Sequence, residues 1–562
     1  MKNQSNPLRI LALVVLRETI SDIFAMIRNF RANRVEKFEF KQPRESVTNT
    51  LNRLGSPISQ SHEDSKFVVL DQFPVPQWLA INSVIAQEIA LTLGASPKIF
   101  VFRRPSKFSI RIHSVFGLSN FLIIRLNIDA WKMLYREYAK LLAYLDTNSK
   151  LIDYKIGDIP IGLDIYESIL RLGRETVSLR DLQTYRVSYL ALKQYCFFEP
   201  LFVSRRVAAV LVSHDNYVGP GLLAHMAFSF KTPVILANSL SLSMPTAPFQ
   251  LYEKLARFRE YAQEISSEEL AVGISWAESE LQARLEGQIG VGMDYQLKSA
   301  FTKHKLPEQT SKTKNLKVLI LTHDFFDNPH GYGRMLFDDF YLWLEFLAEI
   351  STTTNYDWYI KPHRDYSNFE LKVLKDFTNK FPKIKLISSE TTYHQLKEEG
   401  VNIALTCFGS AGHELPLLGF TVINASYNPH IAYSFNIHAK TIDEYTRILT
   451  DLPNRLVGAI DPRDIFEFYY IQNRFVNQDS IMGISHAELV KLSEGNIFAS
   501  GLITHLLENH EKIRDSTIFT LRQMVSHRLV YEFEKKISSD SQLKVEIGET
   551  NQQFYEKMRF LN

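Results

Sequence analysis

The sequence is short of cysteine, of any excess of one charge, and of long apolar runs, and each shortage excludes a class of protein. Only two cysteines, Cys196 and Cys407, occur in 562 residues. That is too few for a disulfide-rich secreted scaffold or a zinc ribbon, although a single disulfide is within reach. Lys plus Arg (64) nearly balance Asp plus Glu (62), leaving a net charge of +2. A nucleic-acid binder would carry a clear basic excess, so no nucleic-acid partner is expected. No segment is expected to span a bilayer, which takes ~20 apolar residues. The most apolar stretch near the start, Leu8 to Leu16, is broken by Arg9 and runs into Arg17 and Glu18. It also lacks the small-residue cleavage site of a secretory leader. Gly-x-x-x-x-Gly-Lys-Ser/Thr, Gly-x-Ser-x-Gly and His-Glu-x-x-His do not occur, which removes the commonest nucleotide-binding, hydrolase and zinc-protease signatures.

What is present is the composition of a folded protein: 45% hydrophobic, 22% charged and 12% aromatic, with 38 Phe and 25 Tyr. The length exceeds what one core usually organises, so at least two domains are expected. Near the start, Leu13, Leu16, Ile20, Ile23, Phe24 and Ile27 recur at helical spacing, followed by Arg28, Arg31, Arg34, Lys37 and Lys41. Residues 8–41 read either as an amphipathic helix on an anionic membrane surface or as a helix packed on the core with a polar extension.

Beyond a polar stretch, short apolar runs alternate with helical patterns. Phe67–Leu70, Lys98–Phe102, Ala208–Val212 and Pro233–Ala237 read as strands, with helices over Trp78–Leu93 and after Gly221. Residues 302–315, polar and basic, read as a linker. The alternation then restarts, with strands at Leu316–Thr322, Trp358–Ile360, Ile384–Ile387, Ile403–Thr406 and Thr421–Asn424. The intervening helices are Met335–Ile350, Phe369–Phe381 and Tyr393–Glu399. Such alternation predicts an α/β protein built of parallel β-α-β units. The expected division is a helix and polar linker over 1–60, a first domain over 61–301, the linker, a second domain over 316–440 and a helical region over 441–562. Two open sheets predict a cleft, with ligands beyond the carboxyl ends of the strands.

Four strand ends carry candidate chemistry. Ser213-His214-Asp215-Asn216-Tyr217 follows the first; His214 suits a general base near neutral pH. Thr322-His323-Asp324 leads through Asp327 and His330 to Gly331-Tyr332-Gly333. His323, Asp327 and His330 lack the spacing of a helical metal site, so contact with sugar hydroxyls or phosphate is the alternative. Lys361-Pro362-His363-Arg364 places a cation and an imidazole two residues apart, on one side if the strand persists. Cys407-Phe408-Gly409-Ser410-Ala411-Gly412-His413-Glu414 offers small residues at a helix start, where a phosphate can approach the backbone. Glu414 can accept hydrogen bonds from vicinal hydroxyls, or simply complement the helix dipole.

Taken together, these segments resemble the metal-independent, two-Rossmann-domain (GT-B) glycosyltransferases of bacterial capsule and surface-polysaccharide biosynthesis, Kdo-transferase-like or polysialyltransferase-like. The resemblance rests on His323-x-x-x-Asp327-x-x-His330, Lys361-Pro362-His363, Gly409-Ser410-x-Gly412-x-Glu414 and Ser213-His214-Asp215-x-Tyr217-x-x-x-Gly221. It covers residues 205–240 and 316–428. It implies two Rossmann-like domains facing across a cleft and a nucleotide-sugar donor, often CMP-linked in these groups. His323, His330, Lys361, His363 and Arg364 would bind that donor together with Gly409, Ser410, Ala411, Gly412 and Glu414. His214, Asp215 and Asp327 would be the catalytic candidates. It implies neither metal nor other cofactor, a glycan or glycolipid acceptor, and a place in the cytoplasm or on the inner face of its membrane. The family usually has His-Pro where this chain has His363-Arg364. Arg364 either adds charge at the phosphate or marks a diverged binding subunit. A nucleotide-sugar epimerase is the remaining alternative.

Overall fold

Apolar runs such as Phe67–Leu70 and Val234–Ala237 become strands with every residue buried, which removes any need for polar residues along them. The computed structural model describes residues 8–18, 66–71, 76–102, 107–237, 242–243, 245, 255–288, 299–301, 305–331, 335–364, 366–456, 460–475, 492 and 500–526. The chain divides into two compact units. The first comprises Met1–Ile169, Ser178–Pro248 and Asn477–Asn562, and the second Leu170–Val177 and Phe249–Val476.

In the first unit, β1 (Phe67–Leu70), β2 (Ser96–Val101), β3 (Phe121–Ile123), β4 (Val207–Val212), β5 (Val234–Ala237) and β6 (Leu242–Ser243) form one sheet in the order β3-β2-β1-β4-β5-β6. Every neighbouring pair is parallel except β5 with β6. All four residues of β1 are buried. The helix Pro76–Leu93 covers one face, where Leu79, Val84, Ile85 and Ile89 share a core with Val68, Leu70, Ala209 and Leu211. Each such aliphatic side chain contributes about 1.5–3 kcal/mol on burial. Leu506 and Ile513, from the helices Ser500–Glu508 and His510–Ser526, complete that core. The expected helical region 441–562 is therefore divided, because Ile442–Thr450 and Pro462–Tyr470 belong to the second unit.

In the second unit, β7 (Lys317–Leu321), β8 (Asp357–Lys361), β9 (Ile384–Leu386), β10 (Val401–Thr406), β11 (Thr421–Asn424) and β12 (Ile437–His438) lie in the order β12-β11-β10-β7-β8-β9. All neighbours are parallel. Counted within its own unit, each sheet reads 3-2-1-4-5-6, the doubly wound Rossmann order. The protein is thus α/β with two Rossmann-like sheets.

Three expectations change. The segment 302–315 is not a free linker where it is described. Leu306 donates its amide to Gln395 Oε1 (2.9 Å), Thr310 donates to Glu399 Oε2 (2.9 Å) and Ser311 donates to the Tyr359 hydroxyl (2.8 Å). These bonds strap it onto the second unit, and the units divide near residue 249 instead. The helix expected from Met335 begins at Phe340, because Asp339 caps it by accepting the Leu342 amide (2.8 Å) and Met335 is bridged to Ser426. Finally, residues 8–18 are helical, but the buried side chains are Leu11, Val14 and Glu18, and Glu18 pairs with Arg186. Leu13 and Leu16 of the expected stripe are more than half exposed; Ile20 through Lys41 lie outside the described residues.

Candidate functional site

Open parallel sheets bind ligands where the strand order reverses. In the first sheet that switch point lies between β1 and β4, and in the second between β7 and β10. Each is occupied by a histidine-centred group.

At the first switch point, Asp71 directly follows β1 and Ser213 and His214 directly follow β4. The Ser213 amide donates to Asp71 Oδ1 (3.1 Å) and its hydroxyl to Oδ2 (2.7 Å), while Ser213 Oγ lies 2.8 Å from His214 Nδ1. Burial pushes the Asp71 carboxyl up to about 7, opposed by its hydrogen bonds from Ser213. The half-buried His214 ring meets the Tyr217 ring edge-on at 5.6 Å, and Trp78 is 6.3 Å away. Tyr217 has φ +70°, a left-handed conformation that costs a non-glycine residue about 1–2 kcal/mol. Beyond it the chain is held by Ser168 Oγ, which accepts the Val218 amide (2.7 Å), and by Gln194 Nε2, which donates to the Gly219 carbonyl (2.8 Å).

The two candidates at this strand end separate. Asp215 is only 4% exposed, and its charge acts on a buried pair in which His225 Nδ1 lies 2.9 Å from Asp164 Oδ2. Burial opposes charge on His225, but Asp164 and then Asp215 outweigh it and leave its pKa raised. Asp215, expected as a catalytic candidate, therefore belongs to an interior charge group, and His214 is the base candidate.

At the second switch point, His323 follows β7 and reaches the turn after β10. Its Nε2 accepts the amides of Cys407 and Phe408 (3.3 Å each) and lies 2.9 Å from Thr406 Oγ1. Two amides aimed at Nε2 make it the acceptor of the ring and leave Nδ1 as the N–H. Burial, with a smaller contribution from His363, lowers the pKa of His323 to about 3, so the ring is neutral. Phe340 stacks on it at 5.1 Å and Phe408 lies at 4.6 Å. Gly409 has φ +117°, and a Cβ there would sit 3.3 Å from His323 Cε1. His323 thus clasps the turn on which Gly409, Ser410 and Ala411 are half-exposed.

The remaining candidates disperse. Lys361 is buried, donating to the Ser389 carbonyl (3.0 Å) with the Tyr393 ring 5.2 Å from Nζ. Burial first, then Arg364, lower its pKa to about 7 against Glu390. His363 is exposed, so the expected shared side of Lys361 and His363 ends where β8 ends. Arg364 donates to the Ser299 carbonyl and to the Glu390 carbonyl (3.0 Å). Gly412 does not open the backbone to a ligand: a Cβ there would lie 2.3 Å from His430 Cε1. The helix that follows, Ala411–Leu417, has seven residues and little dipole to offer a phosphate. Glu414 is held by Arg284 (Nε to Oε1, 2.8 Å), and Ser410 donates to its other oxygen (3.1 Å). Asp327 is exposed and pairs with Arg171 at 3.6 Å, and His330 is buried in its loop, so His323, Asp327 and His330 stand in three separate settings. Tyr332 and Gly333 lie outside the described residues. Among the described residues, no three or more His, Cys, Asp or Glu side chains are grouped to hold a metal ion. Both cysteines are buried and free.

Asp71, Arg284, Thr406 and His430 were not legible as site residues. Asp71 alone had a signal, a charged residue directly after a buried apolar run.

No family model and no curated protein matches the chain. Similar solved structures include the β-Kdo 2,4-transferase KpsC of Thermosulfurimonas dismutans, at 13% identity over 47% of this chain and 79% of that one, with a TM-score of 0.27. A glycosyltransferase from Rickettsia africae has 12% identity over 80% and 98%, with a TM-score of 0.23. The UDP-GlcNAc 2-epimerase of Neisseria meningitidis has 14% identity over 72% and 97%, with a TM-score of 0.22. The fold class rests on the strand orders themselves: an α/β protein with two Rossmann-like sheets, each with a histidine at its switch point.

Proposed function

We propose that this protein is a glycosyltransferase that takes a sugar from a nucleotide-sugar donor. One observation carries the reading: His214 and His323 stand at the switch points of two Rossmann-order sheets, where nucleotide and sugar ligands of such sheets are held. The second unit takes the donor. The Gly409–Ala411 turn receives its phosphate, and His363 and the Nδ1–H of His323 supply donors toward the charge that develops as the nucleotide leaves. The first unit takes the acceptor. His214 Nε2 removes the acceptor hydroxyl proton, the oxygen forms a new bond to the anomeric carbon, and the bond from that carbon to the nucleotide phosphate breaks with its electron pair going to the phosphate.

A glycolipid or membrane-bound glycan acceptor is supported by the helix at 8–18, whose Leu8, Leu13 and Leu16 are 54%, 55% and 57% exposed. Among the described residues no helix is long and apolar enough to cross a membrane, so this contact would be peripheral.

A second reading, nucleotide or sugar binding without turnover, is favoured by Lys361 and Arg364. Both side chains are engaged by backbone carbonyls. Thermal shift with CMP, UDP and GDP tests binding, since a ligand of the folded state raises its melting temperature. Incubation of the matching nucleotide sugar with and without oligosaccharide acceptors then tests turnover. Transfer requires nucleotide release that depends on acceptor. Binding without release supports the second reading, conversion of the donor alone supports an epimerase, and no shift with any nucleotide rejects the donor site.

A further inference from the structure

Asp71, Ser213 and His214 form a line of hydrogen bonds across the switch point of the first sheet, and its direction is set by proton counting. The Ser213 hydroxyl carries one proton. Its oxygen lies 2.7 Å from Asp71 Oδ2 and 2.8 Å from His214 Nδ1, so it donates to one and accepts from the other. Asp71 Oδ1 accepts the Ser213 amide (3.1 Å). Above pH 7, where the Asp71 carboxylate is ionised, the hydroxyl proton points to Asp71 and the serine lone pair faces His214. The imidazole must then carry its proton on Nδ1 and keep the lone pair on Nε2.

The placement is rigid because it belongs to the sheet. The parallel ladder extends one step past β1, where the Asp71 amide donates to the Leu211 carbonyl (3.1 Å). Asp71 is thus held beside the end of β4, one residue from where Ser213 emerges. Tyr217, with its left-handed backbone, sets its ring edge against the imidazole.

We propose that Asp71 and Ser213 are positioning residues that fix His214 as the Nδ1–H tautomer, so that Nε2 is the atom that takes the proton of an acceptor hydroxyl. The inference rests on the reading of His214 as a base and names the groups that make it one. When Nε2 takes the proton, the imidazolium is supported through Nδ1–H to Ser213 Oγ and from the serine hydroxyl to the carboxylate. No proton needs to move along the line. Asp71→Asn would reverse it: the amide nitrogen of the new side chain would donate to Ser213 Oγ, the serine would donate to Nδ1, and the imidazole proton would move to Nε2.

The test is nitrogen NMR of the full chain labelled with ¹⁵N-histidine at pH 8, with His214→Gln identifying the His214 signals by their loss. The expected result is a protonated Nδ1 and an unprotonated Nε2 in the wild type, reversed in Asp71→Asn, with both tautomers populated in Ser213→Ala. Circular dichroism checks that each variant is folded; if Asp71→Asn does not fold, Ser213→Ala alone decides. An Nε2–H tautomer in the wild type, or a tautomer unmoved by either folded variant, overturns the proposal. The readout needs no sugar donor. The fixed tautomer without acceptor-dependent nucleotide release would therefore reject the transferase reading while leaving the relay in place.

Discussion

Arg284 and Glu414 form a buried ion pair, Nε to Oε1 at 2.8 Å with 2% of either side chain exposed. The guanidinium also lies 5.4 Å from the centre of the Phe301 ring, and Ser410 donates its hydroxyl to the second Glu414 oxygen. This pair pins the helix Ser267–Leu285 to the short helix Ala411–Leu417, which begins at the turn after β10. Glu414 therefore supports that turn from inside, which changes what its replacement should do.

Glu414→Ala leaves a guanidinium buried without its partner and should cost about 3–5 kcal/mol of stability. Joint replacement by Arg284→Met and Glu414→Leu should cost less, because no charge is then left buried. Urea denaturation of Glu414→Ala and of the double variant measures both. Wild-type stability in Glu414→Ala would show that the pair does not hold the turn and would return Glu414 to the donor-binding set.

Gly412→Ala should cost about 1–3 kcal/mol by overpacking, since the added methyl would meet the His430 ring at 2.3 Å. His413 Nδ1 lies 3.1 Å from His430 Nε2, and both rings are kept neutral by burial. His430 thus has little room to retreat. Pairing Gly412→Ala with His430→Ala should cost less than the sum of the two single changes, and a thermal denaturation cycle reads the difference. Strict additivity would exclude the contact.

Lys361 predicts a pH dependence. Burial holds its pKa near 7, below the ordinary 10.5, so between those values the unfolded chain binds a proton that the folded chain does not. Its contribution is present above pH 10.5 and is lost as pH falls toward 7, a change of at most about 5 kcal/mol. Lys361→Met should therefore flatten the rise of stability with pH between about 7 and 10. Parallel stability curves for the two proteins over that range would show that Lys361 stays charged.

His363→Ala should leave stability within about 0.5 kcal/mol, because the side chain is exposed. It should abolish the melting-temperature rise produced by whichever of CMP, UDP or GDP binds. An unchanged ligand shift would remove His363 from the donor site.

Apolar runs such as Phe67–Leu70 and Val234–Ala237 were legible because burial on both faces favours apolar residues, a local property. The strand ends were legible for the same reason, and with them His214, His323, His363 and the Gly409–Ala411 turn. The roles of neighbouring residues were not. His214 and Asp215 carry equal promise as letters in a row, and only their unequal burial distinguishes a base candidate from an interior charge.

The sequence by itself determined where strands and helices alternate and which polar residues stand at the strand ends, since periodicity and turn chemistry act over a few residues. Strand order and long-range partners were decided by tertiary structure alone. Asp71 and Ser213 are 142 residues apart, and Arg284 and Glu414 are 130 apart. Which side chains meet over such separations depends on which strands become neighbours and which helix covers them, a choice made by burial of the whole core and not by any segment within it.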